Sequence, residues 1–205
     1  MWRSVRVAVI AAVMLIASAI PAVAGTPQPI SVGALSALWY RVLTLPNPEN
    51  PFGIGGTAKT CINIAPLVIS PFGPGGVPSC TVQRGTTLIV TPETTECSTF
   101  ETPGKSSNDL RECAKDADAE VTEVGVAVDG HKVDLAEVYT VVLNIKLPAD
   151  NIFGLPTGTR GQSVGHGWVA VVQPLSPGIH IINVKLTRAN GATESNTTSI
   201  IIRRH

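Results

Sequence analysis

The chain has 205 residues, 15 basic and 15 acidic, with 44% hydrophobic and only 4% aromatic content. This balance of charge offers no electrostatic footprint for nucleic acid or for an anionic membrane surface, and the scarcity of aromatics leaves few platforms for stacking bases or sugars. The length suits one domain or two small ones, large enough to bury a real core.

The first 24 residues read as an export signal. Arg3 and Arg6 form a positive n-region, Val7 to Ile20 is an apolar run too short to span a bilayer, and Ala22-Val23-Ala24 supplies the small-residue cleavage pattern. The mature chain then begins at Gly25. Without Arg3 and Arg6 it carries 13 basic residues against 15 acidic, a net of −2. No later run approaches the ~20 consecutive apolar residues of a membrane span. Export to the periplasm or the medium places Cys61, Cys80, Cys97 and Cys113 in an oxidising compartment, where an even count reads as disulfides.

After a Pro-rich start, Ser31 is positioned to cap a helix whose Leu35, Leu38, Trp39, Val42 and Leu43 recur at helical spacing, with Pro46 and Pro48 stopping it. From Pro46 to Gly85 the composition turns to Pro, Gly and small residues, and an internal echo appears. Pro51-Phe-Gly-Ile-Gly-Gly56 precedes Cys61, and Pro71-Phe-Gly-Pro-Gly-Gly76 precedes Cys80. A phosphate-binding loop needs a helix after the glycines, and neither copy has one, so both read as turns leading into strands. Strand candidates follow at Leu67 to Ser70, Cys80 to Gln83 and Thr87 to Thr91. Ser106 or Ser107 then caps an expected helix from Asn108 to Ala119 with Leu110, Cys113, Ala114 and Ala117 as its apolar stripe.

The C-terminal half alternates with period two. Val124, Val126 and Val128 lead to an Asp129-Gly130 turn, and Tyr139 to Leu147 reads as one strand. Trp168 to Gln173, Ile179 to Arg188 and Thr198 to Arg203 follow, with turns at Pro177-Gly178 and Asn190-Gly191. Pro148 to Val164 reads as a long loop. These features predict a mostly-β single domain over 25–205, an antiparallel sandwich that is immunoglobulin-like or jelly-roll-like. Residues 25–118 would form an irregular, disulfide-braced part, and 119–205 the regular strands.

Neighbour pairing, Cys61 with Cys80 and Cys97 with Cys113, ties the two Gly/Pro hairpins together and the helix stripe back to a strand end. Each such bond closes a short loop, worth about 3 kcal/mol on the chain-entropy model. A zinc site is disfavoured because no C-x-x-C pair and no nearby histidine accompany these cysteines, and nothing else calls for a metal or cofactor. Gly161-Gln162-Ser163-Val164-Gly165 fits G-x-S-x-G, but a nucleophile elbow needs a strand before it and a helix after it, and a loop and a strand stand there instead. His166 and His180 could form an acid–base or metal pair if their strands met in a hairpin across Pro177-Gly178. The plainer reading is two hydrogen-bonded histidines near strand ends. His166, His180 and Trp168 are therefore the polar-site candidates. His131 beside its turn reads as an ordinary exposed residue. Asp116, Asp118, Glu120 and Glu123 read as a solvated helix end rather than a calcium loop, and Asn196-Thr-Thr is a glycosylation sequon.

Trp39, Asn47-Pro48, Gly56 with Cys61, Cys80-Thr-Val82, Glu96-Cys97-Ser98, Leu110-Arg-x-Cys113, Val128-Asp-Gly130, Gly167-Trp168 and Pro174-Leu-Ser-Pro-Gly-x-His180 together give the chain a resemblance to a group of exported bacterial proteins of no established activity. The resemblance implies a β-rich exported protein and transfers no catalytic residue. The group has an aromatic-rich strand between the first two cysteines, where this chain has the aliphatic Ile64 to Ser70. The last strands separately resemble bacterial immunoglobulin-like domains.

The expected function is a non-catalytic binding or structural protein of the envelope or secretome, with an extracellular protein or a glycan as partner. A secreted hydrolase or lyase acting on a polymer would require His166 or His180 within reach of Ser163, Tyr139, Asp150 or Arg160. A secreted inhibitor or effector would require a disulfide-braced exposed loop near Cys61 to Cys80.

Overall fold

The computed structural model describes residues 28–53, 61–73 and 76–204. The expected signal and the last three residues of the first Gly/Pro copy lie outside the described residues. Two helices and twelve strands arranged in two sheets make up the rest, so the chain is mostly β.

Helix α1 spans Gln28–Leu43. It begins three residues before the expected cap because Pro29 suits a first helical turn, where no backbone N–H is required. Ser31 is consequently inside the helix and fully buried rather than capping it. Leu35, Leu38, Trp39, Val42 and Leu43 are buried, as their spacing predicts. At its end the Thr44 hydroxyl donates to Tyr40 O at 2.8 Å, and Pro46 leads into a 3-10 turn at Asn47–Glu49.

The strands, in chain order, are β1 Ile62–Ala65, β2 Val68–Ser70, β3 Ser79–Val82, β4 Thr87–Val90 and β5 Thr94–Ser98. After helix α2, Ser107–Ala117, come β6 Val121–Val128, β7 His131–Val133, β8 Ala136–Tyr139, β9 Leu143–Lys146, β10 Arg160–Val172, β11 Gly178–Arg188 and β12 Thr193–Ile202. Helix α2 starts with a full capping box: Ser106 and Asp109 each bind the other's backbone N–H. Of its expected stripe, Leu110 and Ala114 are buried, whereas Cys113 and Ala117 face outward.

The first sheet is organised by β10. β4 and β5 follow one another along one of its edges, and β8 and β9 along the other; β2 and then β1 extend the β4 side. The second sheet runs β3-β12-β11-β6-β7. The sheets are not purely antiparallel. The chain leaves the first sheet after Ser70, lends β3 to the second, and returns as β4 in the same direction as β2, so β2 and β4 pair in parallel. β3 likewise lies parallel to β12.

Three further differences from the sequence reading have local causes. β10 is 13 residues long and begins at Arg160, inside the expected loop, because from Ser163 onward it is buried under neighbours on both faces and needs no alternation. The expected strand from Tyr139 to Leu147 is broken at Thr140–Val142, where the Thr140 hydroxyl accepts the Gly165 N–H at 2.9 Å and the Ser36 hydroxyl of α1 accepts that of Val141 at 3.1 Å. The short strand β7 was not expected, since three residues beside a turn carry no alternation of their own.

Period-two geometry gives β10 two faces with different cover. Val169 and Val171 pack with α1, Leu143 and Ile145. On the opposite face, Ala170 and Val172 meet Val126, Ile182 and Ile200 of the second sheet, while Val164 meets Leu110 and Ala114 of α2. The two disulfides pair as neighbours, Cys61–Cys80 and Cys97–Cys113. The first joins the chain entering β1 to β3, hence one sheet to the other; the second joins α2 to β5. β10 comes from the C-terminal half and most of its sheet from the N-terminal half, so the irregular and regular parts share one framework.

Trp39 lies against bare backbone at Gly165, where an added Cβ would stand 2.6 Å from its ring. Gly165→Ala is expected to destabilise the protein by about 1–3 kcal/mol through overpacking, read as a lowered urea midpoint at unchanged slope. An unchanged midpoint would show that the indole is not confined there.

Candidate functional site

On the inner face of β10, His166 and Trp168 fall between the part covered by α2 and the part covered by the second sheet. Asp118, the residue that ends α2, drops into this seam and is 2% exposed, as is His166. His166 Nδ1 lies 2.8 Å from Asp118 Oδ2, and Nε2 lies 3.2 Å from Glu137 Oε1 on β8. Thr95 donates its hydroxyl to Asp118 Oδ1 at 2.6 Å. The Tyr139 ring packs 4.7 Å from the imidazole, with the Arg111 guanidinium 5.6 Å over the tyrosine, and Trp168 meets the imidazole edge-on at 5.6 Å. Both imidazole nitrogens are therefore occupied by carboxylates within the protein. Asp118 is a buried partner, not part of a solvated helix end, because the helix C-terminus is aimed at the seam.

Ser163 lies on the other face of the strand. Its hydroxyl donates to Glu96 Oε1 at 2.5 Å, and the serine is fully buried. It sits inside regular β10 rather than on an elbow, so the G-x-S-x-G string carries none of the geometry that exposes a nucleophile. Burial pushes Glu96 up to about 7, against the opposing effect of the Ser163 hydrogen bond.

His180 belongs to β11 in the second sheet. Its Nδ1 lies 2.6 Å from Asp129 Oδ2 and its Nε2 2.8 Å from Ser176 O. Burial opposes the charged forms, but the mutual hydrogen bond prevails and raises His180 while lowering Asp129. β10 and β11 lie in different sheets and do not pair across Pro177-Gly178, so His166 and His180 are not brought together. Asp150 is in the loop after β9, Arg160 opens β10 opposite Lys146, and His131 is exposed in its turn. Of the hydrolase constellation only Tyr139 lies beside His166, in ring contact, while Ser163, Asp150, Arg160 and His180 lie elsewhere. Among the described residues no group of three or more His, Cys, Asp or Glu side chains is placed to hold a metal ion, and no helix is long and apolar enough to cross a membrane.

The Gly/Pro echo has a different outcome. Phe52 and Phe72, at the same place in each copy, converge with ring centroids 5.6 Å apart. Both rest on Trp39, one stacked at 6.1 Å and the other edge-on at 5.5 Å. Trp39 Nε1 donates to Thr94 Oγ1 at 2.9 Å, and that hydroxyl donates to His166 O at 2.6 Å, which locks the indole to the centre of the first sheet. Beside the phenylalanines a cleft of about 460 Å³ opens between the end of β4 and strands β11 and β12, with Ile182, Val184 and Leu186 in its lining. Its polar lining includes Thr91, Glu93, Glu194 and Asn196. Thr91 Oγ1 is buried with no hydrogen-bond partner. Glu93 is raised by burial, with Arg188 Nη2 at 3.7 Å opposing the shift; Arg188 Nε is bonded to Glu194 at 3.1 Å. Phe52 is 46% exposed.

Sequence reasoning marked the echo but took it as turn chemistry alone. The identical phenylalanine in both copies was the available signal. Glu93, Glu96 and Glu137 had none, since their partners are distant in the chain, whereas Glu194 meets Arg188 across the Asn190-Gly191 turn.

No protein-family model matches the chain, and no curated protein matches it in sequence. Among solved structures it is similar to amebosin, at 11% identity and a TM-score of 0.27, over 68% of this chain and 100% of that one. It is also similar to the cysteine protease inhibitor EhICP2 from Entamoeba histolytica, at 12% identity and a TM-score of 0.26, over 62% of this chain and 86% of that one. At those scores neither likeness carries an argument.

Glu96 supports a pH prediction. With a folded-state value of about 7 against an ordinary 4.5, the folded protein keeps a proton that the unfolded chain releases. Stability is then full below about pH 4.5 and falls as the pH rises to 7, by on the order of 3 kcal/mol. Urea melts at pH 5 and pH 8 are expected to show that fall, and Glu96→Gln to remove most of it. An equally steep profile in the variant would assign the effect elsewhere.

Proposed function

We propose that the mature chain is an exported, non-catalytic binding protein, and that the aromatic cleft takes a neutral, hydroxyl-rich ligand, a glycan. The observation that carries this reading is the convergence of Phe52 and Phe72 on Trp39 beside a cleft with an unsatisfied buried hydroxyl and two carboxylates. Apolar walls with a few convergent polar groups are the usual composition of a ligand site. A half-exposed aromatic ring stacks on the apolar face of a sugar, while carboxylate, amide and hydroxyl groups bond its rim. Occupation of His166 and Ser163 by internal partners on opposite faces of β10 supports a non-catalytic role. Two disulfides support an oxidising, extracytoplasmic compartment. An immunoglobulin-like or jelly-roll-like lineage fits this role, since two-sheet frameworks commonly present ligands at loops gathered at one end.

An inhibitor or effector is the second reading, favoured by the Cys61–Cys80 bond that braces the same loops. It would engage a protein there instead of a sugar.

Isothermal titration of residues 25–205 with cellohexaose and with chitohexaose tests the proposal. Saturable binding of one of them is expected, weakened at least tenfold by Phe52→Ala while the variant remains folded by circular dichroism. Silence with both, together with retention of a protease on immobilised protein, would replace the glycan by the inhibitor reading.

A further inference from the structure

A second cleft, of about 670 Å³, lies between the β1–β2 hairpin of the first sheet and β3 at the edge of the second. Its walls include Ile64, Leu67, Ile69 and Val82, and among the described residues its charged lining consists of Arg41 and Arg203 with no carboxylate. Among the described residues Arg41, in the last turn of α1, spends only Nε, donating to Asn63 O at 3.0 Å; its two terminal amino groups remain for a ligand. Arg203 follows β12, with its backbone N–H anchored to Val82 O at 2.9 Å. The Cys61–Cys80 bond spans the two sheets beside this cleft and fixes the separation of its walls.

The turn at the mouth adds an independent observation. Leu67 has φ 56°, a left-handed conformation that leucine adopts only at a cost, and its side chain is 46% exposed. Glycine or asparagine would make the turn without strain, yet an apolar side chain stands here at the rim of a cationic cleft.

We propose that this cleft binds a single-chain amphiphile bearing an anionic phosphate or carboxylate head. The guanidiniums pair with the head, bidentate where the geometry allows, and the exposed Leu67 with the half-buried Ile64 covers the aliphatic body. The volume is in the range of small-molecule sites. The absence of any aromatic in the lining distinguishes it from the sugar-stacking cleft, on whose occupancy it does not depend.

Calorimetric titration of residues 25–205 with decyl phosphate below its micellar concentration tests the proposal, with inorganic phosphate and decyl maltoside as comparisons. One-to-one binding of decyl phosphate is expected, at least tenfold tighter than either comparison. Arg41→Gln combined with Arg203→Gln should weaken it at least tenfold, and Leu67→Gly about fivefold without lowering Tm, while Phe52→Ala leaves it unchanged. No binding, equal binding of the maltoside, equal binding of inorganic phosphate, or indifference to the double arginine variant would each overturn it.

Discussion

The seating of the Trp39 indole on the backbone of Gly165 is the contact through which the parts of this protein are joined. It presses α1 onto the central strand of the first sheet, and only a residue without a Cβ leaves room for it. The same indole binds Thr94, which binds the carbonyl of His166, so the ring is fixed at its polar end as well as by its faces. Phe52 and Phe72 then pack on Trp39. Loops that would otherwise be Gly/Pro-rich excursions gain an apolar anchor in the core, and an aromatic wall reaches the surface.

β10 explains why its own serine and histidine are paired within the fold. A strand covered on both faces must satisfy every polar side chain it carries within the fold, because an unpaired buried group costs about 1–3 kcal/mol. Ser163 is satisfied by Glu96 on one face and His166 by Asp118 and Glu137 on the other. Histidine, serine and acid thus occur within a few residues of one another without forming a catalytic set. Alternation of the strand sends them to opposite sides of the sheet.

Much of the framework was legible in the sequence. The stripe from Leu35 to Leu43, the Ser106 cap, the Asp129-Gly130 and Asn190-Gly191 turns and the neighbour disulfides all follow from local spacing or loop length. What was illegible depends on long-range pairing. Gly161 to Gly167 looks like loop because glycine lacks strand propensity, yet tertiary cover makes it the middle of the sheet. The parallel pairs arise from β3 crossing to the other sheet, which no local pattern records. Asp118 reads as solvated until α2 is seen to end in the seam, and the two phenylalanines read as turn residues until both are found on one tryptophan.

The most direct test of this account is hydrogen exchange of the two indole N–H groups in residues 25–205, followed by NMR. Trp39 Nε1–H should exchange only through global unfolding, at the rate of the slowest β10 amides, because its donor is held by Thr94 beneath the aromatic loops. Exchange of that proton as fast as in an exposed indole, with β10 still protected, would contradict the claim that Trp39 joins the helix, the central strand and the cleft.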